Sequence, residues 1–213
     1  MAITDLFRRR EDAEAVDVRD GSPTFPTMAL PKLLAALKAR EQSVLLDLGP
    51  VVGTNVTFFG ERLGCKIFDE DLFSDIDRHA RAGTLDHLPR FFASRFQRLE
   101  GSVDGILCWD VFDYLDKPAA QSLAAQLTRL LRPEGVILAF FSTTAPKDSP
   151  RCYVKQTVVN DTTLRHREYP AEQSRQAPLL NHDIIRMFEP ARVMEQFLLK
   201  THARELFFRL PAA

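Results

Sequence analysis

Two short segments of this chain carry side chains whose types and spacing suit a nucleoside-binding site. The first is DLGPVVGTN, in which Asp47 ends an apolar run, Gly49 permits a tight turn and Gly53 lets a helix begin close to a ligand. The second is the acidic triplet 69–71, about 20 residues further on. At that distance a carboxylate can accept hydrogen bonds from a ribose diol.

Within the acidic triplet, we predict that Asp71 binds the ribose, with Glu70 as the alternative one residue away. The same residues also suit purely structural roles. The two glycines fit any strand-to-helix turn, and the acids fit a solvated strand end followed by a helix N-cap. The glycines and acids together therefore favour a nucleoside site, with the structural interpretation as the alternative.

A third feature is the pair Trp109 and Asp110, which ends the apolar run VDGILCWD. A charged side chain is rarely buried without a partner, so Asp110 indicates that this run ends at a cleft. Trp109 by itself would suit a core position equally well. We expect the pair to lie at a strand end beside the ligand.

The order of elements along the chain predicts the scaffold that positions these segments. Short apolar runs, typical of strands buried on both faces, alternate with amphipathic helical patterns, which predicts an α/β domain with a mostly parallel sheet. Such sheets bind ligands beyond the carboxyl ends of their strands, where all three features fall. The predicted strands are SVLLDLG, CKIFDED, VDGILCWD and VILAFFST, and the helices include ALPKLLAALKAR, TNVTFFGERLG and KPAAQSLAAQLTRLL.

Other segments depart from this alternation. Residues 72–99 show mostly helical patterns, so no third strand is located there. Polar alternation at about 151–170 predicts an inserted hairpin. The charged, breaker-rich residues 1–26 predict a mobile lead-in, which leaves 27–213 as one domain.

The stretch VDGILCWDVFDYLDKPAAQSLAAQLTRLLRPEGVILAFF resembles class I S-adenosylmethionine-dependent methyltransferases, from their fourth strand through a helix and an LRPGG-like turn to the fifth strand. LLDLGPVVG and FDEDLF are similar to the family's first and second cofactor motifs, and VMEQFLLKTHARELFFRL is similar to its last hairpin. The resemblance covers most of residues 28–210. It implies a Rossmann-like, doubly wound, mostly parallel seven-stranded sheet with an antiparallel last strand and helices on both faces.

The resemblance also implies S-adenosylmethionine as the cofactor and roles for the matching residues. The first loop would surround the amino-acid part of the cofactor, Asp71 would bind its ribose, and Trp109 with Asp110 would lie beside the methyl donor and the acceptor. The implied chemistry needs chiefly positioning, so no catalytic residue is assigned. The cofactor-binding residues expected in this way are Asp47, Gly49, Gly53, Asn55, Glu70, Asp71, Trp109 and Asp110.

The first loop departs from the family's D-x-G-x-G-x-G pattern, because Val51 stands at the middle glycine and Pro50 removes a backbone N–H donor. A second hypothesis is therefore a methyltransferase-like module without catalysis, which binds a protein partner through the N-terminus or the hairpin at 151–170. A third is a NAD-dependent oxidoreductase, which is disfavoured because no later catalytic Tyr/Lys or His pair is apparent.

Composition narrows the class of partner. A formal net charge of -1 gives no long-range field for nucleic acid or anionic lipid, which leaves a small molecule or a protein as the expected acceptor. No apolar run reaches the roughly 18 residues of a membrane-spanning helix. Three widely spaced cysteines without a CxxC favour a reducing cytosol over a disulfide framework or zinc site. The histidines lack metal-ligand spacing, so no metal is expected.

Overall fold

A computed structural model describes residues 21–144, 151–199 and 202–212, which form two β-sheets with helices packed around the larger one. The strands are β1 (Thr24–Pro26), β2 (Val44–Asp47), β3 (Lys66–Asp69), β4 (Val103–Trp109), β5 (Leu131–Ser142), β6 (Cys152–Asn160), β7 (Thr163–Pro170), β8 (Arg192–Leu198) and β9 (Ala203–Arg209). The helices are α1 (Leu30–Lys38), α2 (Gly53–Glu61), α3 (Leu72–Ala82), α4 (Leu88–Arg95), α5 (Lys117–Leu130) and α6 (Asn181–Met187), with 3₁₀ turns at Leu85–His87 and Val111–Tyr114.

The larger sheet has the strand order β3-β2-β4-β5-β9-β8. Strands β3, β2, β4 and β5 run parallel, and β9 lies antiparallel between β5 and β8. The winding changes direction at β2, because β3 is added on one side of it and β4 on the other. The loops after β2, β3 and β4 therefore meet at one edge of the sheet, as the α/β interpretation predicted.

The predicted count of seven strands is not confirmed, because this sheet has six strands among the described residues. Residues 72–99, where a further strand would have been expected, fold instead as α3, a 3₁₀ turn and α4. Leu88 and Phe92 recur at helical spacing and are buried from α4 in the core that α5 also lines. A segment with that periodicity buries its apolar face as a helix, so β3 remains an edge strand.

Helices cover both faces of the larger sheet. Leu45 and Leu46 of β2 are fully buried but belong to separate apolar clusters, because successive side chains of a strand point to opposite faces. Helices α1 and α2 pack on the face of Leu45, and the other helices pack on the face of Leu46. None of the helices in the described part of the chain is long and apolar enough to cross a membrane.

Helix α1 shows how the sequence pattern produces this packing. It carries Pro31 in its first turn, where a missing N–H costs nothing, and it buries an apolar stripe on the sheet. Each fully buried leucine contributes about 1.5–3 kcal/mol to the burial free energy. The residues of this stripe are Leu30, Leu33, Leu34 and Leu37.

The smaller sheet, which we name the cover sheet, contains β1, β7 and β6 in that order. β6 and β7 form an antiparallel hairpin in the region where the polar alternation predicted one, and β1 pairs with the other edge of β7. Residues 1–20 of the expected lead-in lie outside the described residues, whereas Thr24–Pro26 form β1. Val158 and Leu164 of the cover sheet share an apolar cluster with Phe140 of β5, so this sheet packs against the larger one.

Candidate functional site

The carboxylate of Asp47 and the indole of Trp109 are in direct contact at the ends of the neighbouring strands β2 and β4. Oδ1 of Asp47 accepts a hydrogen bond from Nε1 of Trp109 over 2.6 Å and another from the backbone N–H of Gly49 over 2.9 Å. Asp47 is 3% exposed and Trp109 is 2% exposed, so bulk water does not compete for these bonds. The first and third features of the sequence are therefore joined at one strand edge.

Burial makes the Asp47 carboxyl group a weak acid. Desolvation raises its pKa from 3.8 to about 7, although the hydrogen bonds from Gly49 and Trp109 lower it. The negative charges of Asp69 and Asp71 raise the pKa further. The group therefore titrates near neutral pH.

Gly49 is required by the position of the indole. A Cβ atom at Gly49 would lie 2.6 Å from Cδ1 and 2.8 Å from Nε1 of Trp109, well inside van der Waals contact. Trp109 itself has a φ of 50°, a backbone conformation that is uncommon for residues other than glycine. The space directly beside Gly49 is thus filled by the protein's own tryptophan.

The end of the same loop is used to anchor the cover sheet. Gly53 is the first residue of α2, and Val51 is 42% exposed. Asn55 was expected at the cofactor, but its buried amide donates from Nδ2 to the carbonyl oxygen of Gln156 over 2.9 Å and accepts from the N–H of Val158 over 2.8 Å. Both ends of the Asn55 amide are therefore committed to β6.

Glu70 and Asp71, the two acids expected at the ribose, are engaged within the protein. The carboxylate of Glu70 accepts hydrogen bonds from Arg95 over 2.8 Å and from Arg98 over 3.3 Å. Asp71 is the N-cap of α3, accepting from the N–H of Ser74 over 3.2 Å and from its hydroxyl over 2.6 Å. The structural interpretation of these two acids is the one that their contacts support.

Asp69 is the member of the triplet whose carboxylate remains available. It ends β3 directly opposite Asp47 in the strand register, and its carboxylate makes no hydrogen bond or ion pair with any other described residue. Partial desolvation, followed by the charges of Glu70 and Asp71, raises its pKa. The sequence pattern did not indicate that Asp71 caps α3 or that Glu70 pairs with Arg95 and Arg98, because these contacts depend on how the helices pack.

Asp110 belongs to an ion-pair network that begins directly after β4. Its Oδ2 accepts a hydrogen bond from Nη2 of Arg175 over 2.8 Å, and burial raises its pKa while Arg175 lowers it. Both carboxylate oxygens of Asp113 accept from the N–H of Ser142, over 2.9 and 3.1 Å. Burial, and then the charge of Asp110, raise the pKa of Asp113 from 3.8 to about 7.

A cavity of about 270 Å³ lies between this network and the cover sheet. Its size is close to the lower end of the range of roughly 300–1,000 Å³ for small-molecule pockets. Trp109 connects the cavity to the Asp47 loop, because its ring packs on Phe140 with the centroids 5.9 Å apart. The residues that line the cavity include Asp110, Asp113, Phe140, Gln156, Arg175 and Glu205.

Solved structures share this arrangement of strands and helices. The CcbJ methyltransferase from Streptomyces caelestis is 14% identical, with a TM-score of 0.51 over 94% of this chain and 96% of that one. The chain has the class I methyltransferase fold. No protein-family model matches the sequence, and a search of curated proteins finds no match.

Proteins with this methyltransferase fold are not all described as methyltransferases. The [4+2]-cyclase SpnF is 9% identical, with a TM-score of 0.52 over 86% of this chain and 80% of that one. The PH0226 protein from Pyrococcus horikoshii OT3 is 13% identical, with a TM-score of 0.50 over 85% of this chain and 87% of that one. The fold therefore leaves the chemistry to be argued from the site.

Sequence reasoning missed three residues that the methyltransferase fold brings to this site. Arg175 lies in an irregular segment after β7, and Glu205 lies within β9, so neither had a motif to mark it. Asp113 lies in the 3₁₀ turn Val111–Tyr114 directly after β4 and likewise belongs to no recognised motif. The sequence did offer one clue to these acids: an Asp or Glu within or beside an apolar run needs a partner when it is buried, which marks it as a candidate site residue.

Proposed function

We propose that this protein binds S-adenosylmethionine at the ends of β2 and β3 and transfers its methyl group to a small molecule held in the cavity. The observation that carries the proposal is the carboxylate of Asp69, which has no partner among the described residues and ends β3 opposite Asp47. In a sheet of this strand order, an acid at that place is positioned to accept hydrogen bonds from both hydroxyl groups of a ribose.

The residues around Asp69 fit the cofactor in part. Helix α2 begins at Gly53 beside the end of β2, and a helix N-terminus favours the carboxylate of an amino-acid group. The indole of Trp109 covers Gly49, so the protein itself fills the space beside that glycine. We therefore assign the ribose to Asp69 and the amino-acid group to the start of α2, with Trp109 as a wall between cofactor and acceptor.

When bound, the cofactor supplies an activated methyl group on a positively charged sulfur. The chain's own part is to hold the acceptor, and the cavity that Phe140 lines, on whose ring Trp109 packs, provides the space for it. Asp113 can take up a proton from an acceptor near neutral pH, because its pKa is about 7. Nη2 of Arg175 donates to Oδ2 of Asp110 and holds this carboxyl group at the same wall; burial raises the pKa of Asp110, and the charge of Arg175 lowers it.

Calorimetric titration with S-adenosylmethionine and with its demethylated product tests the binding half of this proposal. We expect saturable binding by the wild type and a loss of about 1.5–3 kcal/mol in Asp69→Asn, which removes the charged partner of the ribose. Asp71→Asn is the matched control, because asparagine caps a helix as well as aspartate does. Its affinity should equal that of the wild type.

Three outcomes would point elsewhere. If neither ligand binds at millimolar concentration, the methyltransferase-like module without catalysis becomes the better hypothesis, in keeping with the committed side chains of Asn55 and Glu70. If NAD binds in their place, the oxidoreductase hypothesis gains. If Asp71→Asn weakens the binding of S-adenosylmethionine and Asp69→Asn does not, Asp71 is the better assignment for the ribose. The cytoplasmic location and the partner surface at the N-terminus or hairpin stay predictions.

A further inference from the structure

Two fully buried carboxylates line the cavity, and each has one oxygen left over. Asp110 is 4% exposed; its Oδ2 is bonded to Arg175, while Oδ1 has no hydrogen-bond partner among the described residues. Glu205 is 0% exposed; its Oε2 accepts from the backbone N–H groups of Met28 and Ala29, while Oε1 has no such partner. Buried carboxylate oxygens are costly when left unpaired, so two of them at one cavity point to a ligand that donates.

The helix-capping role of Glu205 does not account for its second oxygen. Oε2 satisfies the N–H groups at the start of α1, at distances of 2.8 and 2.7 Å. That contact explains why an acid in the middle of β9 is tolerated, because the N-terminus of a helix favours negative charge. Glu205 is one of the residues that line the cavity, and its buried Oε1 has no hydrogen-bond partner among the described residues.

Acidic side chains outnumber basic ones among the described residues that line the cavity. Asp110, Asp113, Glu168 and Glu205 line it, and Arg175 is the one Lys or Arg side chain among its described lining residues. His166 also lines the cavity, but burial, followed by the charge of Arg175, lowers its pKa to about 4, so it is neutral at pH 7. A cation would be attracted to this wall, whereas an anion would be repelled.

The remaining walls suit the organic part of such a cation. Phe25, Phe140 and Phe141 line the cavity, and aromatic faces attract ammonium groups as well as apolar carbon. The side chain of Gln156 contributes one more buried acceptor, because its Oε1 has no partner among the described residues. Polar groups at a few fixed points within an apolar lining are typical of small-ligand sites.

We propose that this cavity binds a small organic amine in its protonated form, with the ammonium N–H groups donating to Asp110 Oδ1 and Glu205 Oε1. Binding of the amine depends only on the residues of the cavity. The further role of the amine rests on the proposed function: if methyl transfer holds, the amine is its substrate and the amine nitrogen is the methyl acceptor. Asp113, beside Asp110, is the group that would receive the ammonium proton before transfer.

The test is an NMR titration of the protein, without any cofactor, with benzylamine, benzyl alcohol and benzoate at pH 7. The three probes share one ring and differ in charge, so they separate cation binding from simple filling of an apolar space. We expect saturable shifts with benzylamine at the cavity residues, at least about tenfold weaker binding of the alcohol, and none of benzoate. Similar binding of all three probes, or none by benzylamine, would overturn the proposal.

Variants identify the groups responsible. Asp110→Asn and Glu205→Gln should each weaken benzylamine binding roughly 10- to 100-fold while leaving the alcohol little changed. Glutamine at position 205 keeps an acceptor for the start of α1, so the fold is preserved, and urea unfolding checks this. Glu195→Gln, at an exposed ion pair with Lys32 outside the cavity, is the control and should bind as the wild type does.

The amine site and the cofactor site fail in different ways. If benzylamine binds and S-adenosylmethionine does not, the amine site is supported and methyl transfer to the amine is contradicted. Binding of S-adenosylmethionine without selectivity among the three probes would leave the proposed function intact and overturn the amine site. If Asp110→Asn and Glu205→Gln both leave the affinity for benzylamine unchanged, neither carboxylate binds the amine. Glu205 then only caps α1, and Asp110 only pairs with Arg175.

Discussion

The indole Nε1 of Trp109 donates to Oδ1 of Asp47 over 2.6 Å, and this bond joins the carboxyl ends of β2 and β4. Both side chains are buried, so a carboxylate that would be costly in isolation is held by one side-chain donor and one backbone donor, Gly49. The contact fixes the floor of the candidate cofactor site. It also accounts for the glycine two residues after Asp47.

Trp109→Phe should destabilise the protein by about 1–3 kcal/mol, because it removes a donor from a buried carboxylate. The pKa of Asp47 should rise further, since the Trp109 bond lowers it. Urea unfolding at neutral pH measures the loss. In an Asp47→Leu background the same substitution should cost much less, and an equal cost would show that packing of the ring, not the bond, matters.

Gly49→Ala should cost about 1–3 kcal/mol, because its Cβ would meet the indole of Trp109 at 2.6 Å and force the ring to shift. Gly60→Ala is the matched control within α2, where the nearest atom to a new Cβ is 3.9 Å away. That change should be neutral or stabilise by up to about 1 kcal/mol, as expected in a helix. Thermal unfolding of the two variants compares them, and equal effects would contradict the close approach of Trp109.

Asn55→Ala should loosen the cover sheet, because it removes both hydrogen bonds between α2 and β6. The expected cost is about 1–3 kcal/mol, since the backbone groups of Gln156 and Val158 lose buried partners. Amide hydrogen exchange should accelerate in β6 more than in β4. Thr57→Ala, at an exposed position of the same helix, should leave exchange in β6 unchanged. Uniform acceleration in both strands would contradict a local anchor.

Stability should fall as the pH rises from about 4 to about 7, through the buried carboxyl group of Asp113. Its pKa is raised from 3.8 to about 7, so between these values the native state keeps a proton that the unfolded chain has released. The stabilisation is complete below about pH 4, declines by up to about 1.4 kcal/mol per pH unit, and is level above about pH 7. The groups that set this pKa are Asp110, Arg175 and the N–H of Ser142.

Asp113→Asn should therefore show a shallower decline than the wild type when urea unfolding is measured across that pH range. Asp183→Asn should change the pH dependence of stability in the opposite direction. The hydrogen bond from Lys117 lowers the pKa of Asp183, so the contribution of Asp183 is present above about pH 4 and lost on acidification. Parallel curves of stability against pH for Asp113→Asn and the wild type would contradict the raised pKa of Asp113.

The parts of the fold that could be predicted from the sequence depend on local pattern. The apolar runs ending in Asp47 and Trp109 predicted buried strands, because burial on both faces leaves few polar residues. Their pairing as neighbours came from the structure. Helical periodicity over 72–99 correctly indicated helices and left no room for another strand, although the family resemblance implied seven strands.

The parts that could not be predicted depend on partners that are distant in the chain. Asn55 is bonded to β6, 101 positions away at Gln156. Glu70 is claimed by Arg95, 25 positions away. The cavity is closed by Arg175 and by Glu205, which no local pattern connects to β4. A single sequence shows which polar side chains are present but not which of them pair in the fold. For this reason the sequence favoured Asp71 at the ribose, whereas we propose Asp69 once the contacts are known.

The central claim is that S-adenosylmethionine binds beside the Trp109–Asp47 contact, and the chain offers a direct probe of it. The sequence contains one Trp, so the indole Nε1–H gives one unambiguous NMR signal from the site itself. Titration with S-adenosylhomocysteine should shift this signal saturably in the wild type and at much higher ligand concentration in Asp69→Asn. A signal that stays unchanged at millimolar ligand, in protein that is folded by the same spectrum, would contradict the account.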